Sequence, residues 1–190
     1  GRAFSLVASR SLPSCGALER RDLGIRFVLL CSVVDSVAEG MLPRLKQVGC
    51  LMLNYGYESG SDPILKELRK GVNREQALKA GILTKQVGLK NVPEIIIGFP
   101  SETPQTVADT IDFLKQLDDW PISVNTPIPF PETHLWDRAV AAGLIEDKEA
   151  FVLEYRRHYF VNFTKYADRT GQAWVDKVNY DPKTNRRWKR

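Results

Sequence analysis

Glu58 and Ser59 stand in the string Gly56-Tyr57-Glu58-Ser59-Gly60-Ser61, where a carboxylate and two hydroxyls follow an apolar run. A carboxylate at the end of a strand accepts hydrogen bonds from ligand hydroxyls or an ammonium group. The plainer alternative pairs it with a nearby Lys or Arg. Ile97 and Gly98 close a second run, offering apolar backing and a residue whose missing Cβ lets a ligand approach, although a buried strand ending in a glycine turn reads the same way. Glu102, just ahead of Thr103-Pro104, suits a helix N-terminus better than a catalytic role. Thr126-Pro127 opens a third loop that can shape the substrate side. A closed zinc site has little support. The cysteines are Cys15, Cys31 and Cys50, the histidines are His134 and His158, and neither Cys-x2-Cys nor His-x3-His occurs. Cys31 within a strand and Cys50 just before one read as small core hydrophobes.

These residues need elements to position them, and the pattern supplies a β/α series. Strands are expected at residues 4–8, 25–34, 51–57, 93–99 and 122–126. The run at 25–34 is apolar on both faces, as in a buried parallel strand. Between the strands, Asp35 or Ser36 caps a helix carrying Val37, Met41, Leu45 and Val48, which Gly49 ends. Ser61-Asp62-Pro63 starts a short helix that Gly71 stops. Asn73 with Gln76 has the spacing of a capping box, and Gly88 closes that helix. Thr103-Pro104 opens an amphipathic helix with Val107, Ile111, Leu114 and Leu117 on one face. Thr133 caps a helix through Ala142. Strands separated by helical crossovers imply a parallel sheet, with ligand loops after the strands' C-terminal ends. Past residue 148 the pattern changes. Phe151, Tyr155, Tyr159 and Phe163 recur every fourth residue and predict one aromatic helical face, read as a C-terminal helix docking on the domain.

Composition sets the limits. The chain has 190 residues, 43% hydrophobic and 26% charged, enough for one domain and an appendage. The division expected is a core over residues 1–148 and an aromatic helix with a basic tail over 149–190. The longest apolar run, residues 27–31, is far too short to span a bilayer, and no charged segment followed by an apolar one opens the chain. A cytoplasmic protein with reduced thiols is expected. The net charge is +4, and much of it is local: Lys183, Arg186, Arg187, Lys189 and Arg190 crowd the end of the chain, a tail read as solvated rather than as a nucleic-acid surface.

Four strings together resemble the radical S-adenosylmethionine (SAM) superfamily, in the branch that often carries a cobalamin-binding domain. Gly56-Tyr57-Glu58-Ser59-Gly60-Ser61-Asp62-Pro63 is similar to the family's fourth strand and turn. Ile95-Ile96-Ile97-Gly98-Phe99-Pro100-Ser101-Glu102-Thr103 resembles the fifth strand and its loop, with Ser101 where glycine is usual. Thr126-Pro127-Ile128-Pro129-Phe130-Pro131-Glu132-Thr133 resembles the sixth-strand loop, with Glu132 where glycine is frequent. Val34-Asp35-Ser36, with Gly49-Cys50, matches the third strand–helix unit. The resemblance implies a partial barrel of six β/α units whose top face holds SAM and a [4Fe-4S] cluster. It places Gly56, Glu58 and Ser59 at the ribose or methionyl part of SAM, Ile97 and Gly98 at the adenine, and Thr126 toward the substrate.

The likeness fails at the cluster. In the family, Cys-x3-Cys-x2-Cys follows the first strand. Here Val7-Ala8-Ser9-Arg10 is followed by Ser11-Leu12-Pro13-Ser14-Cys15-Gly16, and the next cysteines are 16 and 19 residues on. Three thiolates must converge on one cluster. The expectation is therefore an incomplete (β/α)6 partial barrel of about five parallel strands with a C-terminal helix, binding SAM but without a conventionally ligated cluster, hence inactive as given. It is read as a truncated chain whose exposed sheet edge invites self-association. The alternatives are a non-catalytic SAM- or nucleotide-binding remnant and an interaction module for protein or nucleic acid.

Overall fold

The computed structural model describes Gly16 and residues 24–31, 40–119, 121–154, 161–166, 168–178, 180–181 and 186–187. The expected first strand at 4–8, Cys15, Val37, the caps Asp35 and Ser36, Tyr155, His158, Tyr159 and Lys183 lie outside the described residues, as do Lys189 and Arg190. Four strands, β1 (Phe27–Cys31), β2 (Cys50–Glu58), β3 (Lys90–Ile96) and β4 (Ser123–Asn125), form one sheet in that order. Every pairing in it is parallel. These are four of the five expected strands.

Each crossover is helical. α1 (Met41–Gln47) joins β1 to β2, α2 (Asp62–Glu67) and α3 (Arg74–Gln86) join β2 to β3, and α4 (Pro104–Leu117) joins β3 to β4. α3 starts at the expected capping box, in which Asn73 accepts from the Gln76 N–H and Gln76 reaches back to the Asn73 N–H. α4 has a reciprocal cap of the same kind between Thr103 and Thr106. Two ends differ from expectation. α1 begins at Met41, after Gly40 at φ 83°. α2 stops at Glu67 because Arg69 turns left-handed at φ 51°, ahead of Gly71. Ser61 caps α2 without a side-chain bond, since its hydroxyl donates instead to Asp109 on α4.

The core lies between the sheet and the helices. Leu53, Tyr55 and Tyr57 alternate along β2 and are all but fully buried. They meet Ala77 and Ala80 of α3 and Val107, Phe113, Leu114 and Leu117 of α4. Tyr57 stacks edge-on against Phe113 with ring centroids 5.2 Å apart. Gly60 is required here: a Cβ would lie 2.3 Å from the Phe113 Cβ and 2.9 Å from the Thr110 backbone.

After β4 come α5 (His134–Ala141), α6 (Lys148–Glu154) and α7 (Asp168–Val178), then the two-residue antiparallel strands β5 (Tyr180–Asp181) and β6 (Arg186–Arg187). The periodic aromatic face is not one helix over its described part. α6 runs to Glu154, whereas Phe163 stands in irregular backbone at 161–166. There Asn162 accepts from the Thr164 N–H and hydroxyl and donates to the Tyr166 carbonyl, and these side-chain bonds replace a helical ladder. Phe151 instead stacks on Trp136 of α5, in a small second cluster with Ala139, Ile145 and Val161. The C-terminal helix that docks is α7, whose Trp174, Val175 and Val178 join the main core.

Candidate functional site at the strand C-termini

Strand register brings the six expected site residues to one end of the sheet. Gly56 lies beside Glu94 of β3, and Glu58 beside Ile95 after a bulge at Tyr57. Ile96 lies beside Asn125, whose carbonyl accepts from the Ile97 N–H at 2.9 Å. Gly98 adopts φ 114°, and a Cβ there would reach only ordinary contact with Pro127, at 3.5 Å. Gly56, Glu58, Ser59, Ile97, Gly98 and Thr126 thus share the C-terminal rim of β2, β3 and β4.

Their side chains do different things. Glu58 takes a left-handed φ of 62°, uncommon for a residue with a Cβ. Its carboxylate folds back over Gly56, where a Cβ would stand 2.9 Å from Oε1. Lys70 donates to that oxygen at 2.9 Å, the pairing that was the plainer expectation for Glu58. Ser59 is fully buried. Its hydroxyl bonds Thr110 of α4 at 3.1 Å and accepts from the Ser61 N–H, so it holds the turn from behind. Ile97 is buried and belongs to the core. Thr126 is half-buried at the start of the third loop.

Glu102 organises the second loop, as its place before Thr103 suggested. It is 1% exposed, accepts from the Gly98 N–H at 3.2 Å, and accepts from the Thr106 hydroxyl at 2.5 Å. Burial pushes its carboxyl above the usual range, while those donors pull it back down. Ser101 keeps negative φ, so replacing glycine there costs no backbone strain. Glu132, the other residue at a glycine position, does take φ 66°. The turn is therefore kept at the cost of a strained glutamate.

Sequence reasoning missed three residues here. Lys70 is twelve residues from Glu58, and no periodicity links them. Asn54 and Glu94 interrupt apolar strands on the face turned away from the helices, a signal present in the alternation itself. The two described cysteines stand at opposite ends: Cys31 is the last residue of β1, in register with Tyr55 at the C-terminal side of the sheet. Cys50 is the first residue of β2, 2% exposed in the core, about 25 Å of strand from Glu58. Its position does not fit a cluster ligand at the rim. Among the described residues no group of His, Cys, Asp and Glu could hold a metal ion. No helix among them is long and apolar enough to cross a membrane.

An α/β fold with parallel strands and helical crossovers belongs to the class of open and barrel-like sheets in which ligand loops follow the strands' C-terminal ends. Within that class, the Radical SAM superfamily profile matches residues 8–114, and the chain belongs to this family. It is 32% identical over 142 residues to an uncharacterized methyltransferase of Pyrococcus horikoshii, covering 75% of this chain and 31% of the relative. It is also 32% identical over 97 residues to the tRNA-2-methylthio-N(6)-dimethylallyladenosine synthase of Helicobacter acinonychis, covering 48% of this chain and 22% of that one. The chain thus spans less than a third of either relative's length. Its fold is similar to that of the radical SAM methyltransferase TsrM from Kitasatospora setae, solved with cobalamin and a [4Fe-4S] cluster (TM-score 0.63, 19% identity, 75% of this chain, 30% of that one).

Proposed function

We propose that the rim of β2, β3 and β4 binds SAM, and that the chain is part of a methyl- or methylthio-transferring radical SAM protein. The observation that carries this reading is the convergence, through strand register, of Gly56, Glu58, Ile97, Gly98 and Thr126 on one rim. The residues suit the ligand. Glu58 lies over a glycine, where its free carboxylate oxygen can accept from ribose hydroxyls or the methionyl ammonium. The Ile97–Gly98 backbone, opened by φ 114°, can take the adenine. Thr126 faces the substrate side, and Ser59 acts through the turn it holds. SAM supplies the transferable methyl group or, once reductively cleaved, the radical.

The cluster is a different matter. With cysteines 16 and 19 residues apart and Cys50 at the far end of β2, we read this chain as not ligating a [4Fe-4S] cluster by itself, and so as SAM-binding without reductive cleavage. Association through β1 belongs to the same reading. Among the described residues β1 pairs only with β2, and Val28 and Leu30 are 48% and 56% exposed.

Two measurements test the reading. Equilibrium dialysis without iron should show SAM retained by the full chain and held roughly tenfold more weakly by Glu58→Ala, the loss of one charged hydrogen bond. Absence of binding by the unmodified chain would remove the SAM site. Anaerobic reconstitution should leave iron and sulfide well below stoichiometry. Stoichiometric uptake with reductive cleavage of SAM would overturn the second half.

A further inference from the structure

The sheet face turned away from α3 and α4 carries two hydrogen-bond acceptors that the fold does not use. Asn54 Oδ1 is buried and has no partner. Its register neighbours are Leu30 on β1 and Val92 on β3, so apolar groups flank it on both sides. One layer nearer the rim, Glu94 lies beside Gly56 and Ser123. Glu94 is half-buried and has no hydrogen bond or ion pair among the described residues. Asn54 and Glu94 are diagonal neighbours on adjacent strands, about 8 Å apart between Cα atoms, so both side chains can meet one small molecule.

A buried acceptor without a donor weakens a fold, and an apolar residue of similar shape would remove the cost. Buried hydroxyls at this sheet are paired. On the helix side, Tyr55 pairs with Thr84 at 3.0 Å and Ser59 with Thr110 at 3.1 Å. Asn91 Oδ1 on the helix side is likewise buried without a partner, but the Asn91 amide nitrogen donates to Tyr57 and Asp119, whereas the Asn54 side chain has no hydrogen bond among the described residues. Both unused groups on the open face are acceptors, one of them charged, and the surface beside them is apolar: Leu30, Val92 and Ile96.

We propose that Asn54 and Glu94 form a subsite for the second reactant, one that takes a planar nitrogen compound with at least two N–H donors, an amidine or amino-heterocycle, over that apolar floor. The proposal rests on the reading of the rim as the SAM site, and Asn54 lies one layer below that rim. Asn54 and Glu94 act as specificity-determining residues. They disfavour anionic ligands that present only acceptors, because the Glu94 carboxylate would face a like charge and the buried Asn54 Oδ1 would stay unpaired.

The probes are benzamidine and benzoate, which have the same ring with donors or acceptors attached. Added to the 15N-labelled full chain, benzamidine should shift the Asn54 side-chain amide signals, and benzoate should not. Asn54→Leu and Glu94→Gln should each weaken benzamidine roughly tenfold, while Asn54→Asp keeps or tightens it. Without ligand, Asn54→Leu should melt no lower than the unmodified chain. Equal binding of benzoate, an unmoved Asn54 amide, or full benzamidine affinity in Asn54→Leu would each overturn the subsite. If Asn54→Leu fails to fold, the Asp variant and the unmodified chain still decide. Failure of SAM to bind the unmodified chain strikes the rim reading alone and leaves the benzamidine result to stand or fall separately.

Discussion

The two faces of the sheet are built to different standards. Toward the helices, Tyr57 meets Phe113, and Asn91 donates to both the Tyr57 hydroxyl at 3.1 Å and Asp119 at 2.8 Å. Arg74 ties the Gly60 and Asp109 carbonyls to Asp112. Away from the helices, Val28 and Leu30 are open, Asn54 is unmatched and Glu94 is uncompensated. The strands alternate between these faces residue by residue, so neighbours in sequence carry opposite duties. Stability resides on one side, which leaves the other free to be polar and incomplete.

The contrast should show most strongly at Phe113. Its replacement by alanine empties the meeting point of β2 and α4 and is expected to cost about 3–5 kcal/mol in urea unfolding, while Leu30→Ala, on the open face, should cost under about 0.5 kcal/mol. Similar losses at both positions would erase the distinction. Gly60→Ala comes next. The new methyl meets Phe113 and Thr110, and the expected loss of stability is about 1–3 kcal/mol.

Glu102 sharpens the comparison through pH. Burial raises its carboxyl above the ordinary 4.5, so the folded chain holds this proton more tightly than the unfolded chain. Its contribution is present in full below that ordinary value and is lost as pH rises through the folded value. Relative to Glu102→Gln, the unmodified chain should be at its best near pH 4 and fall progressively behind toward neutrality, read as the difference in urea midpoints. A gap that is flat with pH would contradict the assignment. Asp119, also raised by burial, moves in the same direction in both proteins and cancels from the difference. The smallest effect is expected at the rim. Glu132→Gly relieves the left-handed strain at φ 66° and should raise stability by up to about 1 kcal/mol.

The parallel series was legible in the sequence because its signals are local. Caps such as Asn73 with Gln76, and glycines such as Gly49 at φ 97°, report on their own few residues. The rim was legible because three strand ends carry recognisable strings. The pairing of Lys70 with Glu58 was not, since a turn and a short helix separate them and only the folded loop brings them together. Nor was α7. The fourfold spacing of Phe151 and Phe163 outweighed the weaker pattern of Trp174, Val175 and Val178, although the latter group entered the core. Periodicity records which residues can share a face, and burial is settled by what the chain meets elsewhere.

The central claim is that the rim of β2, β3 and β4 is the SAM site. The most direct measurement adds SAM to the 15N-labelled chain and maps the backbone amide shifts. The account expects them to cluster on Gly56, Glu58, Ser59, Ile97, Gly98 and Thr126, with α3 and the buried face of α4 unmoved. Shifts confined to the helices, or none at saturating SAM, would contradict it.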